Sequence, residues 1–306
     1  MRIIYFGSPD FAVKPLEKLI EKGYEIVAVV TNKDKPVGRK QILTPTAVKT
    51  CAISNGLKVL EYKSVRKEGV EDIKALKPDI MVTCAFGQIL SEELLSIPKM
   101  TLNIHGSLLP KYRGAAPIQW SVINGDKQTG ITIMKTDAGI DTGDIMFSQS
   151  IDIGLNETAG EVFDRLSYLG AECIIKALEM VEKGEYAFLK QDESKASYVK
   201  MLSKEDGLLS FDDSAYMVHK KVMGLNPWPT AYVIFKGEPL KIHKTEIVEG
   251  NGKVGQILKA DKELVVACKD GAIKILEIPK AGSKKMPAKD FLLGNKLEVG
   301  SILGDN

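Results

Sequence analysis

The run from residue 79 to 85, DIMVTCA, constrains the fold more than any other part of the chain. After its leading Asp it is continuously apolar apart from one threonine. A strand of that texture has no face for water, so it belongs inside a parallel sheet covered on both sides. Residues 100–104 (MTLNI) repeat the pattern, and 2–6 (RIIYF) and 25–30 (EIVAVV) are shorter versions of it. Between the first two of these in chain order, residues 12–22 place Val13, Leu16, Leu19 and Ile20 at helical spacing before Gly23 stops them. A second helix is expected from Pro45, which can occupy a first helical position. This βαβα rhythm predicts an α/β fold, an open and mostly parallel sheet with right-handed crossovers.

The texture then changes twice. Residues 129–136 and 144–151 alternate like strands, and a long helix is expected over about 157–183, ended by Gly184. Residues 190–205 (KQDESKASYVKMLSKE) are polar and read as a linker. Beyond them, 231–236, 240–247, 254–258, 263–268 and 272–278 are short β-type runs divided by turn residues, the spacing of a small all-β barrel or sandwich. The expected domains are therefore 1–189, a linker 190–205, and 206–306. With 306 residues, 44% of them apolar and 27% charged, the chain has the material for two packed cores and excludes collagen-like and disordered classes.

Charge gives little direction. The formal net charge is +2, from 42 Lys+Arg against 40 Asp+Glu. Residues 206–306 carry 15 Lys, no Arg and 13 Asp+Glu, so an RNA-binding face there would need clustering that totals do not reveal. The four cysteines, Cys51, Cys84, Cys173 and Cys268, form no C-x-x-C and read as reduced structural thiols. No apolar run approaches the ~20 residues of a membrane span, and the N-terminal one is too short for a signal peptide, so a cytoplasmic protein is expected.

Four stretches could carry chemistry. The turn 7–11 (GSPDF) follows the first strand, where doubly wound folds hold phosphate. It lacks G-x-G-x-x-G, Pro9 removes an amide donor, and no G-x-x-x-x-G-K-[ST] exists, so a plain turn into a helix is favoured. The stretch 103–119 is richer. Asn103 and His105 lie two apart at the end of a predicted strand, so they share a face at the sheet edge where ligands bind. An amide there can donate to a developing oxyanion while an imidazole handles a proton. The stretch 137–144 (DAGIDTGD) holds three carboxylates and two glycines. It reads as an acid against His105, as a backbone-lined pocket for a flat ligand, or as an Asp/Gly turn, and it does not match a calcium loop. Finally, 31–45 reads as a long loop without secondary structure bearing Lys33, Lys35, Arg39 and Lys40, either a clamp for a polyanion or a solvated surface loop.

Together these stretches resemble a known family. SLLPKYRGAAPIQ at 107–119, the upstream Asn103-x-His105, DAGIDTGD at 137–144, the opening FGSPDFA, KPVGR in the loop and GLNPWPTAY at 224–232 are similar, in order, to the methionyl-tRNA formyltransferases. Asn-x-His with SLLP and a later Asp is common to all transferases that use 10-formyltetrahydrofolate. The GAAPIQ extension, the basic loop and NPWP narrow the likeness to the tRNA-dependent branch.

The resemblance implies a Rossmann-like catalytic domain, helices on both faces of its sheet, followed by an OB-like β-barrel. It implies transfer of a formyl group from 10-formyltetrahydrofolate, as co-substrate, to the α-amine of methionine on initiator tRNA, with no metal. Asn103, His105 and Asp141 would be catalytic. Ser107, Leu108, Leu109 and Pro110 would line the folate site, with the backbone around Gly87, Gln88, Ile89 and Leu90 and the loop from Asp137. Lys33, Lys35, Arg39 and Lys40 would meet the tRNA acceptor end. A monomer without membrane attachment is expected. Two positions depart from the family pattern: Lys40 is followed by Gln41-Ile42 where a second basic residue is common, and Met223 stands where an arginine often precedes NPWP. Two other readings compete. An amino-sugar nucleotide formyltransferase would not need the basic loop, and a non-catalytic RNA-binding barrel would not need Asn103, His105 and Asp141.

Overall fold

A computed structural model describes residues 1–38, 40–279 and 285–304. Its strands begin with β1 (Arg2–Gly7), β2 (Glu25–Asn32), β3 (Lys35–Val37), β4 (Ile42–Thr44) and β5 (Val59–Tyr62). β6 (Ile80–Cys84), β7 (Met100–His105), β8 (Arg113–Gly114), β9 (Gln128–Lys135) and β10 (Ile145–Asp152) follow. Seven of these make one sheet in the order β10-β9-β7-β6-β1-β2-β5. β1 pairs in parallel with β2 and β6, β2 with β5, and β6 with β7, while β9 runs antiparallel to β7. The chain thus builds outward in both directions from β1, and the strand order reverses beside it. In open α/β sheets that reversal opens a crevice at the carboxyl ends of the strands.

At its centre, neither face of this sheet meets water. Ile3, Ile4, Tyr5 and Phe6 are all fully buried, although successive side chains point to opposite faces. On one face Ile4, Phe6, Ala28, Val30 and Met81 pack with Val65, Ile73 and Leu94 from short helices after β5 and β6. On the other, Tyr5 donates to the Ala12 carbonyl at 2.6 Å, and Gly170 of a long helix lies against Ile104 and Ile131. That helix, Ala159–Lys183, fits the expected span to within two residues at each end. A short helical turn Asp10–Ala12 and a helix Val13–Glu21 follow β1, as the plain-turn reading expects. Gly7 is needed there for packing: a Cβ would press on Ala12 and the Tyr5 ring.

Three local expectations need correction. The helix after residue 45 begins at Ala47, and Thr46 caps it by accepting the Lys49 N–H, so Pro45 lies outside it. A threonine oxygen satisfies an orphan helical donor, which proline cannot do. The stretch 31–45 is not a loop without secondary structure: β2 continues to Asn32, and β3 and β4 pair as an antiparallel hairpin. The run 240–247 is two strands, because the chain leaves one ladder at Ile242 and enters another at Lys244.

The chain divides into two compact units, one of residues 1–114, 130–151 and 163–198, the other of 115–129, 152–162 and 199–304 among the described residues. In the second unit Ala231–Phe235 pairs with Glu238–Ile242. Lys244–Val248, Ile257–Ala260, Leu264–Ala267, Ala272–Pro279 and Lys285–Pro287 form a five-stranded antiparallel sheet. This is the antiparallel C-terminal region that the spacing of short runs predicts. All four cysteines are free, and burial pushes the Cys84 thiol up to about 12 and those of Cys173 and Cys268 up to about 11, so all three are protonated and unreactive at neutral pH.

Candidate active site

β7 carries the chain to the carboxyl edge of the sheet, one strand beyond β6. Asn103 pairs in register with Thr83 of β6, and His105 with Thr132 of β9, so both side chains sit on the same face of the sheet. The Thr83 hydroxyl donates to Asn103 Oδ1 at 2.8 Å. That bond turns the amide so that its N–H₂ end is the one left to meet a ligand. An amide held in this way is a preorganised donor for an oxygen that gains charge.

His105 is 6% exposed, and both ring nitrogens have named neighbours. Nε2 lies 3.0 Å from the Tyr112 carbonyl oxygen. A carbonyl only accepts, so Nε2 is the nitrogen that bears hydrogen in the neutral ring. Nδ1 is then the basic nitrogen, and it lies 3.5 Å from Asp141 Oδ1. That separation is long for a hydrogen bond, yet a proton arriving on Nδ1 would face a carboxylate across it.

Asp141 is held from several directions. Its Oδ2 accepts the Gly114 N–H at 2.8 Å, and its carbonyl accepts from Gln191 Nε2 at 2.8 Å. Its φ is +54°, in the left-handed region that non-glycine residues rarely adopt. Such conformations persist where surrounding structure over-determines them, commonly at functional sites. Asp137, by contrast, folds its own loop: its carboxylate accepts from the Gly139 N–H at 3.0 Å and from the Thr142 hydroxyl at 2.8 Å. Gly143 passes so close to the Lys135 carbonyl that no side chain fits there.

The expected folate-lining residues separate into two kinds. Ser107 is fully buried, and its hydroxyl donates to the Lys111 carbonyl at 2.6 Å, so it shapes the turn and presents no surface. The Thr132 hydroxyl donates to the Ser107 carbonyl at 2.7 Å and accepts the Leu109 N–H at 3.1 Å. That ties down the turn carrying Leu108, Leu109 and Pro110, in which Leu109 is buried and its two neighbours are half-buried. In the loop after β6, Leu90 belongs to the core, and Gln88 ties Asn32, the Tyr62 carbonyl and the Val65 N–H together. Gly87 and Ile89 face outward, Ile89 with 57% of its surface exposed. Ser107, Gln88 and Leu90 are thus supports, whereas Gly87 and Ile89 offer contact surface. Lys33, Lys35 and Lys40 are exposed, the last two on the hairpin; Arg39 lies outside the described residues.

Thr83, Thr132, Asn32, Arg113 and Gln191 were not among the residues expected at the site. Arg113 and Gln191 are the consequential omissions. Arg113 is fully buried, and its guanidinium reaches Glu193, Gln191 and Tyr198. Only an arginine inside the SLLP-x-x-R segment pointed to it, and nothing in the polar run 190–205 pointed to its partners. Among the described residues no three His, Cys, Asp or Glu gather as a metal-ligating group.

Similarity to known proteins shows the family of the chain. Residues 1–178 match the formyl transferase family model and residues 201–296 match the model for the formyl transferase C-terminal domain. The chain belongs to the formyl transferase family. Within that family it is 46% identical over 308 residues to the methionyl-tRNA formyltransferase of Geobacter sulfurreducens, covering 100% of this chain and 97% of that one. It is 42% identical over 308 residues to the methionyl-tRNA formyltransferase of Caldanaerobacter subterraneus subsp. tengcongensis, covering 99% and 100%. In fold it is similar to WlaRD, a sugar 3N-formyl transferase solved with dTDP and 5-N-formyl-THF, at a TM-score of 0.70 and 21% identity, covering 93% of this chain and 99% of that one. It is also similar to HypX from Aquifex aeolicus in complex with tetrahydrofolic acid, at a TM-score of 0.65 and 20% identity, covering 95% of this chain and 47% of that one.

Proposed function

We propose that this chain transfers the formyl group of 10-formyltetrahydrofolate to the α-amine of methionine on initiator methionyl-tRNA. The observation that carries the reading is the Asn103, His105 and Asp141 cluster at the carboxyl end of β7, in a chain similar along its whole length to methionyl-tRNA formyltransferases. The co-substrate supplies a formyl group already activated for transfer. The outward faces of Gly87 and Ile89, the turn from Leu108 to Pro110 and the loop from Asp137 would hold it. Exposed Ile89 and the Gly87 backbone, in the loop after β6, offer the apolar and main-chain surface that a flat, partly apolar ring system would need.

In this reading the chain's residues divide the work. The Asn103 amide holds the formyl oxygen as it gains charge. As the amine bonds to the formyl carbon, His105 Nδ1 takes the proton that the amine loses and Asp141 steadies the imidazolium that results. The imidazolium then gives that proton to the folate nitrogen as its bond to the formyl carbon breaks, which releases tetrahydrofolate. Lys33, Lys35, Arg39 and Lys40 meet the phosphates of the acceptor stem. Residues 1–189 are the catalytic domain, 206–306 an OB-like domain serving the tRNA, and the protein acts as a monomer in the cytoplasm.

The sugar-nucleotide reading draws on the fold of WlaRD, but the four-cation hairpin region suits a polyanion better than a single nucleotide. Incubation with 10-formyltetrahydrofolate and either methionyl initiator tRNA or an amino-sugar nucleotide tests the two directly. Formyl transfer to the sugar and none to the tRNA would overturn the proposal.

A further inference from the structure

We infer that residues 191–198 form a strap that positions Asp141, and that Gln191 is the positioning residue through which it acts. The inference rests on the reading of Asp141 as catalytic. Gln191 Nε2 donates both of its hydrogens, to the Asp141 carbonyl and to the Gly143 carbonyl, each at 2.8 Å. Its Oε1 accepts from Arg113 Nε at 3.1 Å and Nη2 at 2.9 Å. The amide is therefore fully engaged, one end on the carboxylate loop and the other on a buried cation.

Arg113 is engaged as completely. Besides Gln191 it donates to Glu193 Oε2 at 2.9 Å, Glu193 Oε1 at 2.6 Å and the Tyr198 hydroxyl at 2.8 Å. All five guanidinium hydrogens thus have acceptors on the strap. The backbone adds to the grip, since the Arg113 N–H donates to the Ser197 carbonyl at 2.8 Å and the Tyr112 N–H to Ser197 Oγ at 2.9 Å. Gly114, next to Arg113, holds the other end of Asp141 through Oδ2. The strap and the segment 112–114 therefore hold Asp141 at its carbonyl and at its carboxylate together. Asp141 needs this hold, because its positive φ is one that a free aspartate would leave. The carboxylate is thereby kept 3.5 Å from His105 Nδ1.

Two variants separate positioning from general support. Gln191→Glu keeps an acceptor for Arg113 but has no hydrogen for the two carbonyls at neutral pH, and Gln191→Met removes both functions. We expect each to lower kcat about 10-fold, and by no more than Asp141→Asn does, as small misplacements of a reacting group do, with both KM values within about twofold. In an Asp141→Asn background the same changes should lower kcat by less than about twofold, because the strap would then have nothing to position. Melting temperatures identify any variant that loses its fold. A folded Gln191→Glu enzyme with normal kcat overturns the inference, as does an equal fold-loss in both backgrounds or a change confined to KM. Normal turnover of Asp141→Asn would instead remove the catalytic reading of Asp141, and the strap's role with it.

Discussion

Two segments leave the carboxyl ends of sheet strands and finish in opposite physical states. After β7 the chain turns inward: His105, Ser107, Leu109, Tyr112 and Arg113 are all buried, and the side chains of His105, Ser107 and Arg113 have the partners named above. After β2 it turns outward into the β3–β4 hairpin, whose Val37, Ile42 and Leu43 are 55%, 61% and 63% exposed beside Lys35 and Lys40. Exposed apolar residues that cluster, unlike scattered ones, mark a contact surface. Moving a proton and an acyl group requires groups fixed before the substrate arrives. Gripping a large polyanion requires reach, charge and open surface. One sheet edge carries both segments, and on the proposed function kcat would rest on the first and substrate affinity on the second.

The largest effects should fall on the buried segment. Asn103→Ala and His105→Ala are expected to lower kcat by about 10²-fold or more with melting temperatures little changed. Steady-state kinetics on folded variants check this. Near-normal turnover in either would dissolve the contrast between the two segments.

The carboxylate loop sharpens the comparison at the next level. Asp141→Asn should impair turnover by about 10-fold or more and exceed Asp137→Asn and Asp144→Asn. Asp137 accepts from Gly139 and Thr142 within its own loop, and asparagine keeps one acceptor oxygen for those bonds. Asp141 faces His105, where the charge itself matters. Equal losses at all three positions, measured by kcat, would make 137–144 a structural turn and no more.

Much of this contrast was legible in the sequence, though unevenly. The continuous apolar run at 79–85 and its repeats announced the parallel sheet, because burial on both faces leaves no polar position. Asn103 and His105 declared a shared face by their spacing of two. The supports did not declare themselves. Gln191 and Glu193 sit in a polar stretch that looks like a tether, and their role exists only because the chain returns some 50 residues after Asp141 to meet it. The hairpin was unreadable for another reason: Val37, Ile42 and Leu43 are exposed, so no buried periodicity marks strands that short.

In the basic stretch of the sequence, Arg39→Ala should raise the KM for tRNA about 10-fold and leave the KM for folate unchanged, while Arg39→Lys recovers part of the loss. Guanidinium binds phosphate at two points or stacks on a base, and an ammonium does neither well. Neutralising Lys33, Lys35 or Lys40 should each flatten the log–log salt dependence of tRNA binding by about 0.9 if it neutralises a duplex phosphate. Filter binding at several salt concentrations measures the slope. A slope that these changes leave untouched would return the hairpin to an ordinary solvated turn.

The smallest expected effect tests whether the strap belongs with the buried segment or the exposed one, since Glu193 is itself an exposed side chain while its partner Arg113 is not. The Arg113 guanidinium, chiefly through its hydrogen bonds, holds the Glu193 carboxyl below its ordinary value of 4.5. A carboxyl whose folded pKa is lowered contributes stability that is complete above the unfolded value and is lost as pH falls through the folded one. Arg113 stays charged throughout, its own pKa raised first by the bond to Glu193. The pair should therefore stabilise the fold at pH 6 and cease to do so in acid, once the carboxyl is protonated. Glu193→Gln should lower the urea midpoint at pH 6, and the difference from the parent chain should shrink as the solution is acidified below the ordinary carboxylate value. Screening limits the size of the effect, because one partner faces solvent. A midpoint difference that is the same at pH 6 and in acid would mean that the ion pair holds nothing. The strap would then depend on its backbone bonds and on Gln191 alone.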